Sequence, residues 1–352
     1  MKKGYLVLQD GQVFEGYRFG AQQDTVGELV FNTAAVGYIE ALTDPSYAGQ
    51  ILLQTYPLIG NVGMIHADEE AKCSLKGYVT RELCDAPSNF RTDCDLESWL
   101  REQGVPGICG VDTRQLTRVL RDKGTMNAII CDAVPADLDV LQTYAIVDPV
   151  SAVTRAAAET FPAEGEEQFR VALIDCGVKN SLIRGLRKRG CTVTVYPASS
   201  GAEELLAENP HGILLSPGPG DPAENTALIE TVKALLGKVP VMGIGLGHQL
   251  MALATGGKTE KLPYGHRGAN QPVRDLKGTR TYITSQNHGY VVAALGSGEL
   301  RFKNLHDDTC EGVDYPALKA FSVQFEPSME PGHNDTAILF DRFAELMKGG
   351  VL

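Results

Sequence analysis

Residues 240–257 read PVMGIGLGHQLMALATGG, a short apolar run, a turn with glycine at 243, 245 and 247, and then apolar residues at helical spacing. Strand, tight turn and helix in that order have the shape of a nucleophile elbow. In such a turn the central residue is held in a strained conformation, so that its side chain projects over the helix N-terminus. The flanking glycines let strand and helix pack closely. Here the central residue is Gly245, which has no side chain. Glycine tolerates positive φ without steric cost, so the elbow can form without its chemistry.

Working outward, the same grammar repeats on the N-terminal side. RVALIDCG (170–177) is followed by SLIRGLRKRG (181–190), TVTVYPA (192–198) by AEELLAEN (202–209), and GILLSPGPG (212–220) by ENTALIETVKALLG (224–237). Apolar strands alternating with helices predict a doubly wound parallel sheet covered on both faces, with ligands at the turns after the strand C-termini. Before Phe169 the periodicity weakens from about Leu138, and AAAETFPAEGEEQ (156–168) is small, acidic and broken by Pro162 and Gly165, the signature of a linker and a solvated loop. The first 150 residues are of another kind. YLVLQDGQVFEGYRFG (5–20) reads as two strands around Asp10-Gly11, while LESWLREQG (96–104) and TRQLTRVLRDKG (113–124) read as helices ending at Gly104 and Gly124. The expected organisation is α/β: a mixed β/α domain over 1–150, a linker over 151–168, and a doubly wound parallel-sheet domain over 169–352.

Composition narrows the function classes. The chain has 352 residues, 43% of them hydrophobic, and 32 basic against 44 acidic side chains give 32 − 44 = −12. An acidic balance opposes general nucleic-acid binding, which needs a basic footprint. The longest apolar runs fall far short of the ~20 residues that span a bilayer, and MKKGYLVLQDG turns polar too early for a signal sequence. A cytoplasmic protein is expected, bound neither to nucleic acid nor to membrane. Eight scattered cysteines without a C-x-x-C pair predict neither disulfides nor zinc, and His66, His211, His306 and His333 show no ligand spacing, so no metal is expected. The cations Arg184, Arg187, Lys188 and Arg189 read as a solvated helix end.

The elbow itself carries a resemblance. GIGLGHQ (243–249) is similar to the GICLGHQ hallmark of class I, triad-type glutamine amidotransferases. LLSPGPGDP (214–222), GHRGANQPV (265–273), TSQNHGY (284–290) and FSVQFEPSMEPG (321–332) resemble, in order, the motifs of the carbamoyl-phosphate synthetase small chain. TDPSYAGQILLQTYPLIGNVG (43–63) and GICGVDTRQLTRVLRDKGTMNA (107–128) resemble that family's own N-terminal domain. The likeness implies a class I glutaminase-like fold in the second domain and a subunit that cuts the glutamine amide and passes ammonia to a large chain. That partner makes carbamoyl phosphate from bicarbonate, ammonia and ATP, for pyrimidine or arginine synthesis. ATP and Mg belong to the large chain; no cofactor is expected in this one.

The same resemblance places glutamine or its oxyanion at Ser46, Gly218, Gly220, Leu246, Gln249, Asn287, Gly289 and Tyr290. SPGPG can present unobstructed backbone N–H groups, and those of Gly218 and Leu246 could face an oxyanion. Gln271 departs from the family, which often has histidine after Asn270. The larger departure is catalytic: where the family has cysteine, histidine and glutamate, this chain has Gly245, Glu326 and Ser328. Amide cleavage in this family needs a thiolate, a base to move its proton and an acid to orient the base. Three changes at three chemically linked positions point to coordinated loss or deliberate removal of the whole centre. His248 and His288 supply no nucleophile, and Glu326 and Ser328 read as a solvated or locally hydrogen-bonded pair. The expected function is a small subunit without its own hydrolysis, in a heterodimer with a large chain using free ammonia. The alternatives are a glutamine-binding regulatory module and an ordinary glutamine-dependent enzyme.

Overall fold

The computed structural model describes residues 2–327 and 334–351. The chain divides into two compact units, Met1–Pro149 and Val150–Leu352. In the first, strands β1 (Lys2–Leu8), β2 (Val13–Gly20), β3 (Thr25–Asn32), β4 (Gln50–Gln54), β5 (Leu58–Ile59), β6 (Gly77–Val79), β7 (Glu82–Leu83), β8 (Pro106–Cys109) and β9 (Met126–Cys131) alternate with helices. The helices are α1 (Tyr38–Leu42), α2 (Leu96–Glu102), α3 (Thr113–Lys123), α4 (Asp139–Thr143) and, at the boundary, α5 (Pro149–Val153). Seven strands close into a barrel in the order β1-β2-β8-β6-β4-β3-β9, while β5 and β7 pair separately. The Asp10-Gly11 turn joins β1 to β2 as an antiparallel hairpin, with Gly11 at φ 87°.

The period-2 alternation of a strand sorts side chains to opposite faces. Leu29, Ile51, Leu53 and Val79 pack with Leu116 and Leu120 of α3, whereas Val30, Leu52 and Tyr78 pack with Ile39, Leu42 and Trp99 of α1 and α2. Both expected helices start on aspartate caps, Asp95 accepting from Ser98 N and Asp112 from Gln115 N at 2.9 Å each. They end where Gly104 and Gly124 adopt φ 70° and 88°. A side-chain oxygen at the N-cap and glycine past the end satisfy backbone groups that the helix itself leaves open.

The second unit contains β10 (Glu159–Phe161), β11 (Phe169–Asp175), α6 (Asn180–Arg187), β12 (Cys191–Pro197), α7 (Ala202–Ala207), β13 (Gly212–Leu215), α8 (Thr226–Leu235), β14 (Val241–Ile244) and α9 (Leu246–Ala254). It continues through β15 (Lys258–Asp275), β16 (Thr281–Ala294), β17 (Glu299–Asn304), β18 (Cys310–Tyr315), β19 (Ala320–Val323) and α10 (Ile338–Met347). One ten-stranded sheet runs β10-β12-β11-β13-β14-β19-β18-β16-β15-β17. Its core from β12 to β19 is parallel, as the alternation of strands and helices predicts. Leu173, Leu214, Met242 and Val323 face α6 and α10; Ala172, Ile213 and Leu215 face α7, α8 and α9. This is the doubly wound α/β arrangement. Beyond β19 the sheet continues antiparallel through β18, β16, β15 and β17.

Two expectations need correction. The segment 151–168, read as linker, contributes β10, which pairs antiparallel with β12 from Glu159↔Val195 to Phe161↔Val193. Three residues are too few to show a period, and the strand exists because the sheet edge offers open hydrogen-bonding groups. Arg189, read as solvated, instead binds Asp341 at 2.5 Å and lies over the Phe340 ring, docking the end of α6 onto α10. None of the eight cysteines is joined in a disulfide among the described residues. No helix among the described residues is long and apolar enough to cross a membrane.

Candidate functional site

The C-terminal ends of β11, β13, β14 and β19 lie side by side, where an open parallel sheet presents its ligands. Gly245 sits between β14 and α9 at φ 57°, ψ −113°, and its N–H donates to Val323 O at 2.9 Å. A Cβ on Gly243 would lie 2.6 Å from Met251 Sδ, and one on Gly247 2.4 Å from Leu215 O. The flanking glycines are therefore required by the close approach of strand and helix. At Gly245 a Cβ would meet Pro217 Cβ at 3.0 Å, so this position is tight but not closed.

The SPGPG turn after β13 packs directly against the elbow. Gly247 N–H donates to Ser216 O, and Ser216 Oγ accepts from Cys176 N at 2.9 Å while donating to Pro217 O at 2.8 Å. A Cβ on Gly218 would lie 2.2 Å from Cys176 O and 2.9 Å from Leu246 Cδ2. Gly220, at φ 87°, leads into Asp221, whose carboxylate caps the next turn through Ala223 N. Gln249, buried in α9, donates from Nε2 to Tyr290 O at 2.7 Å and to Gln324 Oε1 at 2.9 Å. The fold thus brings Gly218, Leu246, Gly245, Gln249 and Tyr290 to one place. Asn287 and Gly289 belong to β16, Asn287 opposite Arg267 in register. Ser46 belongs to the first unit, where its N–H donates to Asp44 Oδ1 and its buried Oγ has no hydrogen-bond partner among the described residues.

Glu326 is not solvated. Its backbone N–H bridges to Ser285 O at 3.0 Å, and its carboxylate forms an ion pair with Lys179 Nζ, both side chains being only 7% exposed. Lys179 is the N-cap residue of α6, reached from β11 through a loop held by Asp175, whose Oδ1 accepts from Gly177 N and Val178 N. Sequence reading missed Lys179, because only the convergence of β11 and β19 buries it against a carboxylate. Ser328 lies outside the described residues.

Neither histidine near the elbow supplies an activated pair. His248 Nδ1 contacts Ser322 Oγ at 2.8 Å, and Nε2 stands 4.0 Å from Cys310 Sγ. Burial pushes the Cys310 thiol up to about 12 and the His248 ring down to about 3, so both stay neutral. Burial, with His266 alongside, likewise holds His288 well below the usual histidine range. His288 belongs to a buried cluster with His266 and Glu311, contributed by three different strands and so without a spacing that the sequence could display.

Comparison with known proteins agrees with this architecture. Residues 6–130 match the carbamoyl-phosphate synthase small chain, CPSase domain, and residues 172–346 match glutamine amidotransferase class-I. The carbamoyl phosphate synthase small chain of Clostridium perfringens is 47% identical over 97% of this chain and 98% of its own length. That of Bacillus caldolyticus is 44% identical over 98% and 97%. The pyrimidine-specific small chain of Bacillus subtilis is 44% identical over 98% and 96%. With a barrel unit and an elbow-bearing amidotransferase unit matched in order along nearly its whole length, the chain belongs to the carbamoyl phosphate synthase small chain family.

Proposed function

We propose that this chain is a carbamoyl phosphate synthase small subunit that does not hydrolyse glutamine, and that it supports a cytoplasmic large chain drawing on free ammonia. The observation that carries the reading is Gly245 at the elbow. A thioester forms only on a side-chain thiolate, and at this position there is no side-chain atom. Glu326, where the family's base would stand, is held by Lys179 in a buried ion pair and carries no imidazole to shuttle a proton. Attack by water alone would forgo covalent catalysis on an unactivated amide. ATP and Mg are assigned to the large-chain partner.

The second reading is a glutamine-binding regulatory module. It is favoured by the grouping of Gly218, Leu246, Gln249 and Tyr290 around an elbow of intact backbone, positions that the family resemblance assigns to glutamine. The deciding experiment measures ammonia release from glutamine by the purified chain, alone and with a cognate large chain, beside carbamoyl phosphate formation from ammonium. No release with ammonium-dependent synthesis supports the first reading. Glutamine hydrolysis at a rate typical of the family overturns it, and calorimetry showing no heat with millimolar glutamine sinks the regulatory one.

A further inference from the structure

The antiparallel arm of the second unit holds a buried cluster of two histidines and a glutamate. His266 on β15 and His288 on β16 are direct partners in register, and Glu311 lies at the start of β18, which pairs with β16 at Val292↔Cys310. One potential ligand atom from each of the three falls within 4.8 Å of the others, and all three residues are buried.

In the neutral rings, two imidazole nitrogens of this cluster face only acceptors. His288 Nδ1 faces Tyr290 O at 2.9 Å; a carbonyl only accepts, so the ring proton sits on Nδ1. Nε2 of a neutral ring then carries a lone pair. It faces Gln286 Oε1 at 3.0 Å, another acceptor, and that amide is oriented by its own Nε2 donating to Glu311 Oε2 at 2.9 Å. His266 repeats the pattern. Nε2 faces Asp307 Oδ2 at 2.8 Å and so bears a proton; in the neutral ring Nδ1 then carries the lone pair. Nδ1 is buried without a hydrogen-bond partner, 3.6 Å from Glu311 Oε1. That separation is long for a hydrogen bond, and matches two donors on one ion, which at zinc–ligand lengths and tetrahedral angles stand roughly 3.4 Å apart.

We propose that His266, His288 and Glu311 form a buried site for a divalent transition-metal cation, zinc by the chemistry of its two imidazoles and one carboxylate, which braces β15, β16 and β18. The surroundings are those of a metal shell. Asp307 orients His266 as a carboxylate–histidine pair, a backbone carbonyl orients His288, and Gln286 and Asn304 hold the two oxygens of Glu311 at 2.9 and 2.8 Å. The proposal does not rest on the reading of the elbow, since it is argued from the contacts of His266, His288 and Glu311 alone.

The test uses the full chain, stripped with chelator and dialysed against zinc chloride, with metal measured by elemental analysis. One zinc per chain is expected, together with a rise in melting temperature over the chelated protein and visible absorption when cobalt(II) replaces zinc. His266→Asn and Glu311→Gln should each abolish uptake, while His66→Asn in the first unit should leave it unchanged. Should the ligand variants misfold, Asp307→Asn keeps all three donors and should weaken zinc binding by about 10- to 100-fold. Uptake well below one equivalent by the wild-type chain, or full uptake by a folded His266→Asn variant, overturns the proposal. So does nitrogen NMR showing both His266 nitrogens protonated in zinc-saturated protein, for a proton would then fill the place given to the metal.

Discussion

Two neighbouring strand ends are built in opposite ways. At the end of β14 the elbow consists of backbone: Gly243, Gly245 and Gly247 let strand and helix approach, and no side chain occupies the centre. At the end of β19 the structure consists of side chains, with Glu326 and Lys179 paired and almost fully buried. The geometry of the elbow depends on what is absent, since a Cβ at 243 or 247 would collide with its neighbours. A buried carboxylate stays ionised only with a countercharge or strong hydrogen-bond donors, because taking a lone charge out of water costs several kcal/mol. The first region is therefore shaped by close backbone approach and the second by a paired charge.

The largest effect should come from separating the charges. Lys179→Met removes the ion-pair partner of the buried Glu326 carboxylate, and urea denaturation should show a loss of about 3–5 kcal/mol. A Lys179→Met/Glu326→Leu double variant should recover much of it, because an apolar pair of similar volume carries no desolvation penalty. Equal losses in both variants would mean that the pair is not what stabilises this end of β19.

Next in size is activity. Gly245→Cys alone should release no more ammonia than the parent, its thiol lacking an imidazole to accept the proton. Adding Glu326→His and Ser328→Glu should raise glutaminase activity by about 100-fold or more, the scale of a general base acting on a positioned nucleophile. A large gain from Gly245→Cys by itself would contradict the assignment of the site.

Smaller, and confined to the backbone side of the comparison, is Gly218→Ala. Its Cβ would fall 2.2 Å from Cys176 O, and overpacking against a main-chain atom should cost about 1–3 kcal/mol. The same substitution at Gly11, which has nothing within 4 Å, meets only the φ of 87° and should cost less. Comparable losses at the two positions would show that strain, not crowding, governs the turn.

Of similar size is an effect on pH dependence. The folded pKa of His248 lies near 3, below the ordinary 6.5, so between these values the unfolded chain binds the proton that the folded one refuses. The contribution is fully present above pH 6.5 and is lost as pH falls toward the folded pKa, with a slope of about 1.4 kcal/mol per pH unit. Denaturation midpoints at pH 7 and pH 5 should converge less steeply in His248→Gln than in the parent. Identical slopes would place His248 in a solvated environment.

Much of the second unit was legible in its sequence. GILLSPGPG and PVMGIGLGHQ place a buried strand before a glycine turn, and both strands and turns stand where that order predicts. The Asp10-Gly11 hairpin and the caps at Gly104 and Gly124 were equally local, each being written in a few adjacent residues. The β10 strand, the long β15–β16 arm and the docking of Arg189 were not. Their partners lie far along the chain, and a three-residue strand or a bulged one has no period to read.

The sequence by itself determined that position 245 has no nucleophile, that an elbow could nonetheless form there, and that the chain joins two units of different construction. These are properties of residue identity and of neighbours within a turn. Only the tertiary structure decided that Glu326 meets Lys179, 147 positions away, and that His266, His288 and Glu311 converge from three strands. Desolvation is the physical reason. A carboxylate or an imidazole acquires its partner, its protonation and its role when strands converge and remove water, and no local pattern in the chain encodes that event.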